Sequence, residues 1–300
     1  MWFESAHVEA TRDAFPEWMA FLWAFFSYLG SVWFVAPAVV LAFWFANRHR
    51  FLPWVATVIG GYALMVGAKG YVGLGRPGVG PAISPEVLPT ALAVVYAPLV
   101  EVSSSSFPSG HAMAGTIIWC MLALETNVWS RRVRLIGAAA VVALIGFSRI
   151  ALGLHYPVDV VVGIALALGY LGAILATRRW AADHSTVDPT SATFATVTLI
   201  AALSWTIGGQ PDAAALLGGA VGLWLVWLVA PPPRDPWPVS PRQIGQTTFG
   251  IGGLGVVALL LLVFDGHAVW LLVGLLGSTV VGLLPRLNAG NGRLEEAVAG

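Results

Sequence analysis

An all-α, polytopic membrane bundle is the fold class this sequence predicts, and three observations carry the prediction. Of its 300 residues 58% are hydrophobic and only 10% charged, where a soluble domain carries roughly 25% charge. The apolar residues gather in long unbroken runs rather than alternating, which is the pattern of membrane helices. The charges fall in the short connections between those runs, with a marked sidedness. Lys plus Arg equals Asp plus Glu at 15 each, so no nucleic-acid partner or basic membrane-binding tail is expected. One cysteine, Cys120 in IIWCMLAL, excludes a disulfide framework within the chain and a cysteine metal site; it reads as a small buried apolar residue.

The N-terminus, MWFESAHVEATRDAF, lacks the basic stretch and apolar core of a signal peptide and is expected to be retained. Residues 18–47 contain no charge. As one helix they would reach ~45 Å, longer than a ~30 Å hydrocarbon core. A break near Gly30-Ser31 resolves the excess: 17–29, rich in Trp and Phe, reads as an interfacial or half-inserted helix, and 31–47 as the first full span. Further spans are predicted at about 53–74, 110–126, 133–152, 156–177, 192–208, 212–230, 248–264 and 267–285. The division expected is a core over 1–180, a short N-terminal helix with about five spans, and a four-span extension over 181–300.

Orientation follows from the Lys/Arg bias of short loops. With Arg48 and Arg50 in the cytoplasm, alternation brings Arg131, Arg132, Arg134, Arg178, Arg179, Arg234, Arg242, Arg286 and Arg293 to the same side. The exceptions are Arg12, Lys69, Arg76 and Arg149. The last three lie at the outer ends of spans or in the loop that follows one, so a cationic site facing outward is predicted there.

The extension carries no lysine or arginine in its spans. Its hairpins, TIGGQPDAAALLGGAVGLWLVWLVAPPP and LVFDGHAVWLLVGLLGSTVVGLLPRLN, look alike and suggest a weak internal repeat. Glycine-rich faces suit close helix packing, within the chain or between copies as a homo-oligomer. The Pro-rich APPPRDPWPVSPRQIG is a linker between the hairpins.

Three outer segments hold the chemistry: KGYVGLGRP (Lys69, Arg76), PSGH (Ser109, Gly110, His111) and SRIALGLHYPVD (Arg149, His155, Asp159). Three cations with two histidines and a carboxylate call for an anion with several oxygens, and the arginine fork fits phosphate bidentately. Ser109 and Gly110 precede a span, and the amides of a helix N-terminus favour an anion. His155 and Asp159, spaced i and i+4, share one face of a helix starting at Tyr156-Pro157, with Pro157 suited to its first turn. The carboxylate can then hold one imidazole nitrogen protonated and leave the other as a nucleophile. His111 is left for proton delivery to a leaving oxygen.

The pattern K-x6-RP, PSGH, SR-x5-H-x3-D resembles the three-part signature of the type 2 phosphatidic acid phosphatase superfamily, with every fixed position present in order. The likeness covers roughly 17–180, and its spacings resemble those of the membrane-bound members. It implies that His155 attacks phosphorus and becomes phosphohistidine, that Asp159 orients it, and that His111 protonates the leaving group and later activates water. Lys69, Arg76, Ser109, Gly110 and Arg149 would hold the phosphoryl oxygens, and no cofactor or metal is implied. The family core has six spans, whereas five and a short helix are counted here. The substrate implied is a membrane lipid phosphate or polyprenyl diphosphate, in the cell membrane with the site facing outside.

Rival readings attach to the same residues. A phosphotransferase would pass the phosphoryl group to an alcohol instead of water. A non-catalytic lipid-phosphate binder or flippase would use the cations and leave the histidines incidental. Halogen oxidation in the manner of soluble vanadate-dependent relatives is disfavoured by the spans. Taken singly, Lys69 reads as a snorkelling lysine, Ser109 as an N-cap, and Arg149 as an ion-pair partner of Glu101 or Asp159. The run SSSS at 103–106, His184 and His267 read as loop residues.

Overall fold

The computed structural model describes residues 3–184, 186–231 and 266–299, and among them every regular element is helical. In chain order these are α1 (Ser5–Asp13), α2 (Met19–Tyr28), α3 (Val32–Phe45), α4 (Arg48–Val72), α5 (Thr90–Val100), α6 (Gly110–Glu125), α7 (Arg131–Ala151), α8 (Pro157–Asp183), α9 (Pro189–Gly208), α10 (Pro211–Val229) and α11 (His267–Ala299). Among the described residues six stretches are long and apolar enough to cross a membrane: Met19–Phe45, Arg48–Val72, Arg131–Ala151, Pro157–Asp183, Pro189–Gly208 and Pro211–Val229. Bulky apolar side chains such as Trp33 (66% exposed) and Leu199 (60%) point outward. That is the reverse of a soluble surface and suits a lipid-facing one, so the chain is an integral membrane protein.

Helix boundaries follow capping chemistry. The side chains of Ser109, Ser130 and Asp188 accept from the first-turn amides of α6, α7 and α9, and Pro189 and Pro211 occupy the first turns of α9 and α10. The expected break at Gly30-Ser31 is present, between α2 and α3. It interrupts a single 27-residue apolar stretch, Met19–Phe45. Two helices were not expected: α1, and α5 inside the 75–109 connection. The predicted span at 110–126 is a 16-residue helix, ~24 Å long. Its residues from Ala112 to Ile118 are all buried, so it sits among protein. Cys120 is half-buried. The predicted span 248–264 and most of the Pro-rich linker lie outside the described residues.

The chain forms two compact units, Met1–Ala38 with Ala68–Ala173, and Val39–Gly67 with Ile174–Gly300. In the first, α7 packs against α1, α2 and α6. Ala20, Trp23 and Ala24 of α2, Tyr96 and Leu99 of α5, and Leu152 and Leu154 after α7 form a buried apolar cluster beside the loops of the site. Helices in lipid gain little from burying apolar surface, so close approach has to come from small residues. A Cβ on Gly115 would lie 2.8 Å from Ile145, and one on Gly146 2.6 Å from Val160. In the second unit α10 packs on α9 and α11. There a Cβ on Gly274 would fall 1.8 Å from the Ala215 carbonyl oxygen.

Candidate functional site

All eight residues singled out from the sequence lie in the first unit. They meet where α4 and α7 end and α6 and α8 begin.

The His155–Asp159 step is built by helix capping. Helix α8 starts at Pro157, and the Asp159 carboxylate reaches back to accept from the Tyr156 amide at 2.9 Å. That is one half of a capping box. The same oxygen, Oδ2, faces His155 Nδ1 at 3.3 Å and accepts from the Ser106 hydroxyl. A buried carboxylate, fully shielded from solvent, is thereby fixed by three donors. With Nδ1–H committed to Asp159, the lone pair of His155 lies on Nε2, which faces Arg76 Nη1 at 3.2 Å.

The cations converge on this ring. Burial first, then Arg149, Arg76 and Lys69, hold His155 well below the ordinary histidine value of 6.5, so it rests neutral. Arg76 is anchored to the carbonyls of Ser104 (2.9 Å) and Leu154 (2.8 Å). Burial lowers its pKa to about 10, with Asp159 opposing, and it stays cationic at neutral pH. Lys69 Nζ donates to the Ser105 carbonyl. Arg149 is fully buried, and one terminal nitrogen donates to Ser27 Oγ (2.5 Å) and the Leu99 carbonyl (2.9 Å). The ion pair with Glu101 or Asp159 weighed from the sequence is not formed.

Ser109 and Gly110 stand at the start of α6, as the motif suggested, with one difference. The Ser109 hydroxyl is an N-cap accepting from the Ala112 amide, and its amide donates to the Asp159 carbonyl oxygen at 3.0 Å. An oxyanion therefore has the following first-turn amides, Gly110 and His111, which have no partner within the helix. The Ser109–Asp159 bond needs α8 to approach closely, and Gly163 permits it: a Cβ there would lie 2.8 Å from the Ser109 carbonyl oxygen.

Several buried polar atoms here have no partner among the described residues: Arg149 Nε and Nη2, His111 Nε2 and Asp159 Oδ1. Each such atom is costly unless something bonds it. Two guanidinium donors, two imidazoles and cationic walls are groups of the kind that can hold a tetrahedral oxyanion, a candidate cradle.

Sequence reasoning missed the serine run. Ser104 and Ser105 act through main-chain carbonyls, which no side-chain pattern reveals, and Ser106 is wholly buried on Asp159. It also missed an apolar groove of about 550 Å³ lined by Phe21, Ala24, Phe25 and Tyr28 of α2, Trp33, and Leu92, Val95, Tyr96 and Leu99 of α5. Leu99 lines this groove and its carbonyl holds Arg149, so the groove adjoins the cationic cradle.

Residues 50–185 match the family model described as the PAP2 superfamily. Phosphatidylglycerophosphatase B of Bacillus subtilis (strain 168) is 37% identical over 79 residues, covering 24% of this chain and 39% of that relative. The chain thus matches about two fifths of the curated relative's length. No solved structure matches the chain significantly.

Proposed function

From the match of residues 50–185 to the PAP2 superfamily we propose that the protein is a lipid phosphatase working through a phosphohistidine on the extracytoplasmic face. One observation carries the mechanism: His155 presents Nδ1 to Asp159 and Nε2 to Arg76, inside a buried ring of cations.

Neutral His155 attacks phosphorus through Nε2. The P–O bond to the lipid breaks, and the departing oxygen takes a proton from His111, which takes up that proton together with the anionic substrate. Asp159 keeps Nδ1–H in place and stabilises the imidazolium that forms. Arg76, Lys69, Arg149 and the Gly110 amide balance charge on the equatorial oxygens, the task that dominates phosphoryl transfer. Water, activated by His111, then attacks the phosphohistidine, and N–P cleavage returns His155 with release of inorganic phosphate. Arg76 lies on Nε2 in the resting site, so its side chain swings onto the phosphoryl oxygens as substrate enters. The groove between α2 and α5 receives the hydrocarbon chain, since a membrane substrate keeps its tail among apolar side chains.

The site faces outward on the Lys/Arg bias of the loops. The bacillary relative makes phosphatidylglycerol phosphate a leading substrate beside polyprenyl diphosphate, which the family resemblance favours. The test is phosphate release by purified protein over a panel holding both lipids and phosphatidate, with His155→Ala and orthovanadate as controls. Turnover by the wild type, lost in the variant and blocked by vanadate, is expected. Phosphorylated lipid appearing in place of inorganic phosphate would establish the transferase instead. His155→Ala with undiminished function would establish the binder or flippase.

A further inference from the structure

The loop that delivers Arg76, residues 73–80, has little to hold it in shape by itself. Gly73, Gly78 and Gly80 take positive φ of 61, 73 and 70°, a freedom that raises the entropy lost on ordering the loop. A Cβ at Gly73, Gly75 or Gly78 would touch nothing. On its N-terminal side the loop is tied where the Ser106 amide and the Ser105 hydroxyl reach the Leu74 carbonyl. At its far end the Gly80 amide donates to the Gly153 carbonyl. The stretch just after Arg76 is held by α1: Ser5 Oγ donates to the Pro77 carbonyl at 2.8 Å, and Arg12 Nη1 to the Val79 carbonyl at 3.1 Å. Arg12 is itself aimed by Asp13 at 2.7 Å and Glu9 at 3.7 Å. The N-terminal segment reaches the second arm of the site as well, because the Phe3 ring meets Tyr156, the neighbour of His155, edge-on with centroids 5.4 Å apart. Val8, fully buried, seats the helix.

We infer that α1 is a strap, with Ser5 and Arg12 as positioning residues that hold the backbone of the Arg76 loop while the Arg76 side chain moves between His155 and the phosphoryl group. The inference rests on the proposed phosphatase chemistry for its purpose, and on the hydrogen bonds alone for its existence. It explains why a polar, charged N-terminal helix is folded onto a membrane protein's catalytic corner.

The test compares full-length wild type with Ser5→Ala/Arg12→Ala, Arg12→Lys and Arg76→Ala, reading kcat and KM on the lipid phosphate, direct orthovanadate binding, and thermal stability. In the double variant kcat falls about tenfold and vanadate binding weakens about tenfold, with KM changed less than twofold. Arg12→Lys recovers most of both, since a lysine can still donate to the Val79 carbonyl. In an Arg76→Ala background the strap substitutions have no further effect. Vanadate affinity within twofold of wild type in a folded double variant overturns the strap, as does an undiminished effect without Arg76. If the double variant does not fold, Ser5→Ala and Arg12→Ala separately decide the matter by the same vanadate reading. Failure of the wild type to hydrolyse any lipid phosphate would sink the functional reading alone, because vanadate binding reports the strap without turnover.

Discussion

Replacing Ser106 by alanine removes a single hydroxyl from the interior of the site. That hydroxyl is fully buried and bonds Asp159 Oδ2, which also receives the Tyr156 amide and faces His155 Nδ1. A hydrogen bond to a charged group contributes about 1.5–3 kcal/mol. Without it the carboxylate keeps its backbone donor but can rotate away from the imidazole. If most of that energy is expressed in holding His155 for attack, kcat falls ~10- to 100-fold at about 1.4 kcal/mol per decade. KM hardly moves, because the Ser106 hydroxyl bonds Asp159 and none of the cations. Phosphate release from a lipid phosphate measures it, with Ser106→Thr, which keeps the hydroxyl, retaining far more activity than Ser106→Ala. A kcat for Ser106→Ala within twofold of wild type would refute the reasoning that three donors are needed to fix this carboxylate.

The pH dependence follows from His155. Because its pKa is held below 6.5 by burial and three cations, the neutral nucleophile persists as pH falls to that lowered value. The acid limb of kcat/KM, which reports the free protein, therefore lies below pH 6.5, and a limb at pH 7 or above would show the ring charged at rest. Gly163→Ala forces a methyl to 2.8 Å from the Ser109 carbonyl oxygen and separates α8 from the start of α6. Overpacking of this kind costs about 1–3 kcal/mol, so a lowered melting temperature with reduced turnover is expected, and unchanged values of both would contradict the close approach. Val95→Trp, at an exposed position on the groove wall, fills the apolar groove and raises KM for a long-chain lipid phosphate about tenfold, ~1.4 kcal/mol, while a short soluble phosphate ester is hydrolysed as before. Equal effects on both substrates would remove the groove from the reading.

Much of this protein is written in local chemistry, and that part the sequence determined. Hydrophobic runs long enough for lipid identify the class, because a backbone in hydrocarbon has to bond itself. The exceptions to the loop charge bias single out Lys69, Arg76 and Arg149 before any geometry is known. The His155–Asp159 pair is likewise local, since four residues on a helix share a face and Pro157 marks where that helix begins. What required the tertiary structure is what depends on contacts distant in sequence. The serine run becomes part of the site only when the chain returns to lay Ser106 on Asp159 and the Ser104 and Ser105 carbonyls on Arg76 and Lys69. Main-chain carbonyls are the same in every residue, so no pattern of side chains predicts which will be used. Ser27 and Leu99 as holders of Arg149, α5 as one wall of the groove, and α1 as the tie on the Arg76 loop are of the same kind. Their partners are set by which helices pack together, and that choice is made by the whole bundle rather than by any one segment.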